Sequence, residues 1–336
     1  MSRDESILNF DELFGEPTDA EPDLVRDYQQ AAASAARRHA GADSAAIRYR
    51  FIARQDASDP SPPLARILRG GGGRGGATRL KLYLSLLWLA RNRNLDRPVF
   101  SYPAQQLAAL LGLPHPGDAG ARRVQEALRW LAKESFVALD RRPGDVTRVH
   151  LLDDAGTGLP YQPAGSLATR APRRSQKERE QHFYVQLDAR FWTMGWVTAL
   201  SAAAIAMYLA CLYEQRGQPD EQVWISPRVG RARYDLSDET RNKGLRELTD
   251  QGLLDLARRP VPAASFDERF RARNVYMLRP RAWGNGPQQP SAPDSLTSGA
   301  PGTSRNPLDN HAAGPARRGR PQTSADDDPW TSPELP

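Results

Sequence analysis

The sequence predicts an α+β chain, mainly helical, in which one small module of helix, strand, helix, helix and hairpin occurs twice between poorly ordered ends. Three observations carry this. The stretch ALRWLAKESFVALDRR, Ala127 to Arg142, returns as GLRELTDQGLLDLARR, Gly244 to Arg259, with Leu128/Leu245, Arg129/Arg246, Leu131/Leu248, Leu139/Leu256, Arg141/Arg258 and Arg142/Arg259 identical. An upstream echo, VFSYP at Val99 to Pro103 and VWISP at Val223 to Pro227, keeps the same order, shifted by 124 residues where the later pair is shifted by 117. Such a spacing is too long for a stacked solenoid unit and fits two copies of a small domain. The third observation is compositional: 336 residues hold two domains of about 100 residues each with length to spare, and much of the 28 Pro and 26 Gly lies outside the copies.

In the first copy TRLKLYLSLLWLARN, Thr78 to Asn92, is apolar nearly all round, as a buried helix is. VFSYP supplies a short strand, and Pro103 opens a second helix over PAQQLAALLGL, where its fixed φ is tolerated in the first turn. After the loop PHPGDAG, a third helix over about Gly120 to Ser135 sets Val124, Ala127, Leu128 and Leu131 at i, i+3, i+4 and i+7. Arg122, Arg129 and Lys133 fall opposite. FVALDRRPGDVTRVHLLD then gives two extended segments around a Pro-Gly-Asp turn, a hairpin signal. The second copy runs as helix LSAAAIAMYLACLYEQ, strand QVWISP, short helix RVGRARY, a helix over Ser237 to Gln251 and hairpin GLLDLARR…RNVYMLRP. Ser237 suits its N-cap, and Leu245 and Leu248 repeat the inward Leu128 and Leu131.

This element order resembles the winged helix-turn-helix. It implies two winged-helix domains in tandem with disordered N- and C-terminal segments: a first domain at 64–155, a basic linker at 156–180, a second domain at 181–283 and a disordered tail at 284–336. Residues 1–63, acidic and then Arg/Ala-rich, are expected to be partly disordered. A helix fits the major groove of double-stranded DNA while a hairpin wing beside it meets phosphates. The third helix must then carry donors outward, and Arg122, Gln125, Arg129 and Lys133 do so in the first copy. In the second, Lys243 and Arg246 are diluted by Asp238, Glu239, Glu247 and Asp250. Its wing is framed by Arg258, Arg259, Arg269, Arg271 and Arg273, matching Arg141, Arg142 and Arg148 around the first. The plain alternative for these charges is a solvated helix face and a soluble wing.

A net charge of +6, carried mostly by Arg, favours an anionic partner. In the linker RAPRRSQKERE, Arg170, Arg173, Arg174, Lys177 and Arg179 are suited to follow a phosphate backbone, or simply form a polar joint. In the tail RRGRP, Arg317 to Pro321, resembles the core of an AT-hook, which would bring Arg318 and Arg320 to a narrow minor groove. The stretch ILNFDELF, with Ile7, Leu8, Phe10, Leu13 and Phe14 among carboxylates, has the composition of a segment that folds onto a partner, or equally of an inert solubilising tail. The acidic end DDDPWTSPELP, with Trp330, is of a kind that docks on basic partners; the partner of either tail would be a replication or transcription protein. IRYRFIAR alternates, Ile47, Tyr49 and Phe51 against Arg48 and Arg50, and is expected to form a strand with one basic face.

Several function classes lack their residues. One cysteine, Cys211, in an apolar helix allows neither a disulfide framework nor a thiolate zinc site. His39, His115, His150, His182 and His311 have no ligand spacing, so neither a metal nor any other cofactor is expected. RGGGGRGGAT, Arg69 to Thr78, has Gly71 and Gly76 at phosphate-loop separation, but Ala77 stands where the lysine should be. A flexible hinge is the better account. No serine, histidine and acid set converges, which points to a binder rather than an enzyme. The amino terminus has no apolar signal core and no run of about 18 apolar residues occurs, so a cytoplasmic, nucleoid- or plasmid-associated protein without membrane contact is expected.

Two winged helices with a basic linker and flexible ends resemble plasmid replication initiators, over about Leu80 to Pro280. The resemblance is one of architecture. It implies repeated origin sites read by one winged helix and a homodimer formed by the other. The acidic second helix points to the second copy as the dimerising one, although that departs from the usual order. A transcriptional regulator using both domains on an operator and a non-enzymatic protein-protein adaptor stay open beside it.

Overall fold

A computed structural model describes residues 22–70, 75–91, 98–143, 145–164, 183–218, 221–261 and 271–288, all within one compact unit that ends at residue 288. The first element, α1 (Pro22–Ala40), carries Asp23 in its first turn and Arg37, Arg38 and His39 in its last, the polarity that a helix dipole favours. Its buried face holds Tyr28, Gln29 and Ala33. Strand β1 (Ser44–Arg48) follows, then a single turn α2 (Tyr49–Ile52) and α3 (Pro63–Arg69). The expected strand over IRYRFIAR is therefore only partly formed. The chain leaves the sheet after Arg48 pairs with Tyr184, and Tyr49 N–H closes the pairing on the Phe183 carbonyl at 2.8 Å.

Helix α4 (Gly76–Leu89) is buried on every side by Leu80, Leu82, Tyr83, Leu84, Leu86, Leu87, Trp88 and Leu89, as its composition requires. Strand β2 (Val99–Phe100) leads through an N-cap at Pro103 into α5 (Ala104–Leu110), and a wide turn at Pro116–Gly120 into α6 (Ala121–Lys133). Val124, Ala127, Leu128 and Leu131 are its buried residues. The hairpin β3 (Val137–Asp140) and β4 (Arg148–Leu151) completes an antiparallel sheet of order β2-β4-β3.

After β5 (Tyr184–Asp188) and two single turns, α7 (Arg190–Thr193) and α8 (Trp196–Ala199), the same sequence of elements returns. Helix α9 (Ala202–Gln215) is again apolar nearly all round, α10 (Pro227–Ala232) is capped by Ser226, and α11 (Asp238–Asp250) is capped by Ser237, whose side chain accepts from Thr240 N–H at 3.1 Å. A hairpin of eight-residue strands, β6 (Leu254–Val261) and β7 (Arg271–Leu278), closes it, and an isolated bridge from Val223 to Tyr276 stands where β2 stood. The chain is thus mixed helix and sheet, an α+β protein.

Strand register corrects the upstream echo by one residue. The cross-strand row Phe100–Val149–Leu139 of the first sheet corresponds to Val223–Tyr276–Leu256 of the second, an offset of 123 from Phe100 to Val223. The helix caps Pro103 and Ser226 repeat that offset. The letter match VFSYP/VWISP at 124 fails because side chains alternate faces in a strand, so a one-residue slip would turn Phe100 and its counterpart to opposite sides.

The two sets of elements share their core. Strand β1 pairs antiparallel with β5 from Ser44↔Asp188 to Arg48↔Tyr184, joining the amino-terminal segment to the start of the second set. Trp88 of α4 stacks on Trp192 of α7 at 4.4 Å, Trp192 Nε1–H donates to Ser85 Oγ at 2.8 Å, and Gln29 Nε2–H of α1 donates to the Trp192 carbonyl at 2.8 Å. On the far side Trp196 Nε1–H donates to the Trp283 carbonyl at 2.9 Å and Trp283 Nε1–H to Tyr208 OH at 2.6 Å.

Candidate nucleic-acid interface

The inward stripe of α6 fixes what its other side presents. With Val124, Ala127, Leu128 and Leu131 packed on α4 and α5, Arg122, Gln125, Arg129 and Lys133 are all exposed, with Arg123 and Glu126 among them. Arg122 pairs with Asp118 at 2.9 Å, one turn back, an exposed contact of small energetic weight. In the adjoining hairpin Arg141 and Arg142 are exposed and Arg148 is half-buried, while Arg142 lies 3.5 Å from Asp140 and Arg148 3.6 Å from Asp145. These are loose pairs at solvent-accessible positions, which a phosphate would compete for.

On α11, Lys243 and Arg246 are exposed as expected, but its four carboxylates are unequal. Glu247 reaches back to α9, where it accepts from the Ser201 N–H at 2.6 Å and from the Ser201 hydroxyl. Asp238 accepts from Arg231 at 2.7 Å. Only Glu239 and Asp250 are fully on the exposed side with Lys243 and Arg246. The outward face is therefore less acidic than the letters suggest.

The second hairpin exposes Arg258 and Arg259, and Arg259 faces Arg273 directly across the strands. Arg259 Nε–H donates to Gln222 at 3.2 Å. Arg273 is laid over the indole of Trp224, 3.9 Å from the ring centroid. Sequence reasoning missed Trp224, because the run Val223–Trp224–Ile225 is apolar throughout and shows no alternation. Val223 and Ile225 are buried while Trp224 is 44% exposed. Arg271 begins β7 opposite Val261. Arg173, Arg174, Arg318 and Arg320, with Arg269, the linker basics, the amino-terminal apolar patch, the glycines at 71–73 and Arg74, lie outside the described residues.

Arg48 was expected on a basic face and is instead 1% exposed. Its guanidinium donates to Asp154 at 2.8 Å and Asp153 at 3.3 Å, and also to the Gln162 carbonyl; Arg50, half-buried, shares both carboxylates. Two acids following the first hairpin draw the arginines inward, since a buried carboxylate requires a counter-charge. Burial opposes the charge on Arg48, but Asp154, Tyr161 and Asp153 outweigh it, so its pKa lies above the ordinary value. Burial beside Asp154 pushes the Tyr161 hydroxyl up to about 12. No spacing rule connects residues 105 apart, so nothing in the sequence joined them.

Burial, with Glu214 nearby, holds the Cys211 thiol well above its ordinary pKa, so it supplies no thiolate. Among the described residues no group of three or more His, Cys, Asp or Glu is placed to hold a metal ion, and no helix is long and apolar enough to cross a membrane. Comparison with known proteins finds no family model, no curated protein and no solved structure that matches this chain.

Proposed function

We propose that the chain binds double-stranded DNA in a sequence-specific way through two winged helices in tandem, and that it serves as a plasmid replication initiator at repeated origin sites. The observation that carries the reading is the repeated order of helix, strand, helix, helix and hairpin, with Arg122, Gln125, Arg129 and Lys133 solvent-facing on α6 beside a hairpin bearing Arg141 and Arg142. In this reading α6 enters the major groove, the arginine-bearing hairpins hold phosphates, and the chemistry is binding without catalysis. Lys243 and Arg246, with Arg258 and Arg259, give the second module a weaker groove face and a stronger phosphate contact, which suits a division between reading and positioning or dimerisation. The site of action is then the cytoplasm, on plasmid or nucleoid.

The test is selection of bound fragments from genomic and plasmid DNA at near-physiological salt, where nonspecific phosphate affinity is suppressed. Tandem direct repeats beside an A·T-rich tract support the initiator; a single inverted site upstream of genes replaces it with an operator-binding regulator; no enrichment removes the duplex reading in favour of an adaptor. On the selected site, Arg122, Arg129 and Lys133 changed together to Ala are expected to lower specific affinity by on the order of 100-fold and erase site preference, given about 1–3 kcal/mol per base contact. Unchanged preference would remove α6 from the groove.

A further inference from the structure

Among the described residues Trp224 is a large aromatic side chain left 44% exposed. Its neighbours Val223 and Ile225 are each 1% exposed, and the Val223–Tyr276 bridge pins the strand, so the indole is directed away from the core by the alternation of the backbone. Its structural counterpart in the first set is Ser101, by the offset that superimposes Phe100 on Val223. The tryptophan therefore belongs to the second sheet alone and is not a requirement of the element order. Trp88, Trp192, Trp196 and Trp283 are all buried.

What surrounds the ring is cationic. Arg273 covers part of it, and Arg259 faces Arg273 across the hairpin on the same side. The carboxylate nearest along β6, Asp255, is already engaged by Arg279. An aromatic face on a sheet with guanidinium groups along the adjoining strands matches two parts of one ligand: a base that stacks on the indole and phosphates that meet the arginines. Bases within a duplex are stacked on each other and cannot offer a face to a side chain, whereas unpaired bases can.

We propose that the Trp224–Arg273–Arg259 face of the second hairpin is a binding site for single-stranded DNA, with a base stacked on Trp224 and the flanking phosphates on Arg259 and Arg273. This goes beyond the duplex reading and uses different residues from α6. In the initiator setting it would hold one strand of DNA that has been opened, while α6 keeps its hold on the paired site.

The experiment measures binding of a fluorescein-labelled oligo(dT) 20-mer, and separately of a labelled duplex, to the full chain at near-physiological salt by anisotropy. Wild type is expected to bind oligo(dT). Trp224→Ala is expected to lose roughly tenfold, Trp224→Phe to keep most of the affinity because it keeps a ring, and duplex binding to be the same in all three. Absence of oligo(dT) binding by wild type overturns the proposal, as does full binding by Trp224→Ala. Equal losses for oligo(dT) and duplex in Trp224→Ala also overturn it, since they make Trp224 a general contact or a structural residue. Duplex binding that fails in wild type while the oligo(dT) pattern holds would overturn the major-groove reading and leave this one standing.

Discussion

Gly244 is set in the middle of α11, where glycine weakens a helix by about 1 kcal/mol relative to alanine. The reason is packing: a Cβ at this position would meet the Ala203 carbonyl oxygen at 2.3 Å and Met207 Cγ at 2.7 Å, so α9 and α11 approach through the missing side chain. The first copy has Ala127, 3% exposed, at the matching place. Gly244→Ala is expected to destabilise the protein by about 1–3 kcal/mol in chemical denaturation, the overpacking cost exceeding the gain in helix propensity. A rise in the denaturation midpoint would show that the helices separate freely. Val124, Leu128, Leu131, Leu245 and Leu248 were legible as core from spacing alone, because a helical stripe is a local property. Arg48 was not, because its partners arrive from a distant loop.

At the scale of elements, the third helices and the hairpins answer to different determinants. Helix α11 starts at Ser237, whose side chain takes the Thr240 N–H, a cap readable from the letters. Ser237→Ala is expected to cost about 1 kcal/mol of stability, measured by denaturation, while leaving the buried Leu245 and Leu248 in place. The hairpins are phosphate-facing in the proposed reading. Arg258→Ala with Arg259→Ala is expected to weaken all duplex sequences alike and to reduce the slope of log affinity against log salt by roughly 2, checked by titration at several salt concentrations. Site preference that changes with the sequence would instead place this hairpin at base edges.

At the scale of the molecule, the element sets are held together by segments that looked like flanks. Asp235, between α10 and α11, pairs with Arg54 at 3.2 Å and with Arg69 of α3, while Arg54 donates to the Ala232 carbonyl at 2.8 Å. Burial would raise the Asp235 pKa, but hydrogen bonds from Ser61 and Arg69 and the charges of Arg69 and Arg54 outweigh it, so it sits below the ordinary carboxylate range. Its stabilising contribution is present above the unfolded value of about 3.9 and is lost as pH falls through the lower folded value. Asp235→Asn preserves the left-handed backbone at φ +53, which asparagine tolerates, and removes the charge. It is expected to cost about 1 kcal/mol at neutral pH, with the difference from wild type vanishing in strong acid when the two are compared by denaturation across pH. A constant difference at every pH would assign the loss to packing.

The sequence by itself determined the module: the all-apolar α4 and α9, the stripes of α6 and α11, the turn between β3 and β4, and the exposed basic side chains, since each follows from periodicity or capping within a few residues. Only the tertiary structure decided the rest. It paired β1 with β5, took Arg48 and Arg50 inward to Asp153 and Asp154, spent Glu247 on Ser201, and moved the strand echo by one residue so that Trp224 came to the surface. Those outcomes depend on which distant segments compete for the same partner, and local patterns of hydrophobicity hold no record of that competition.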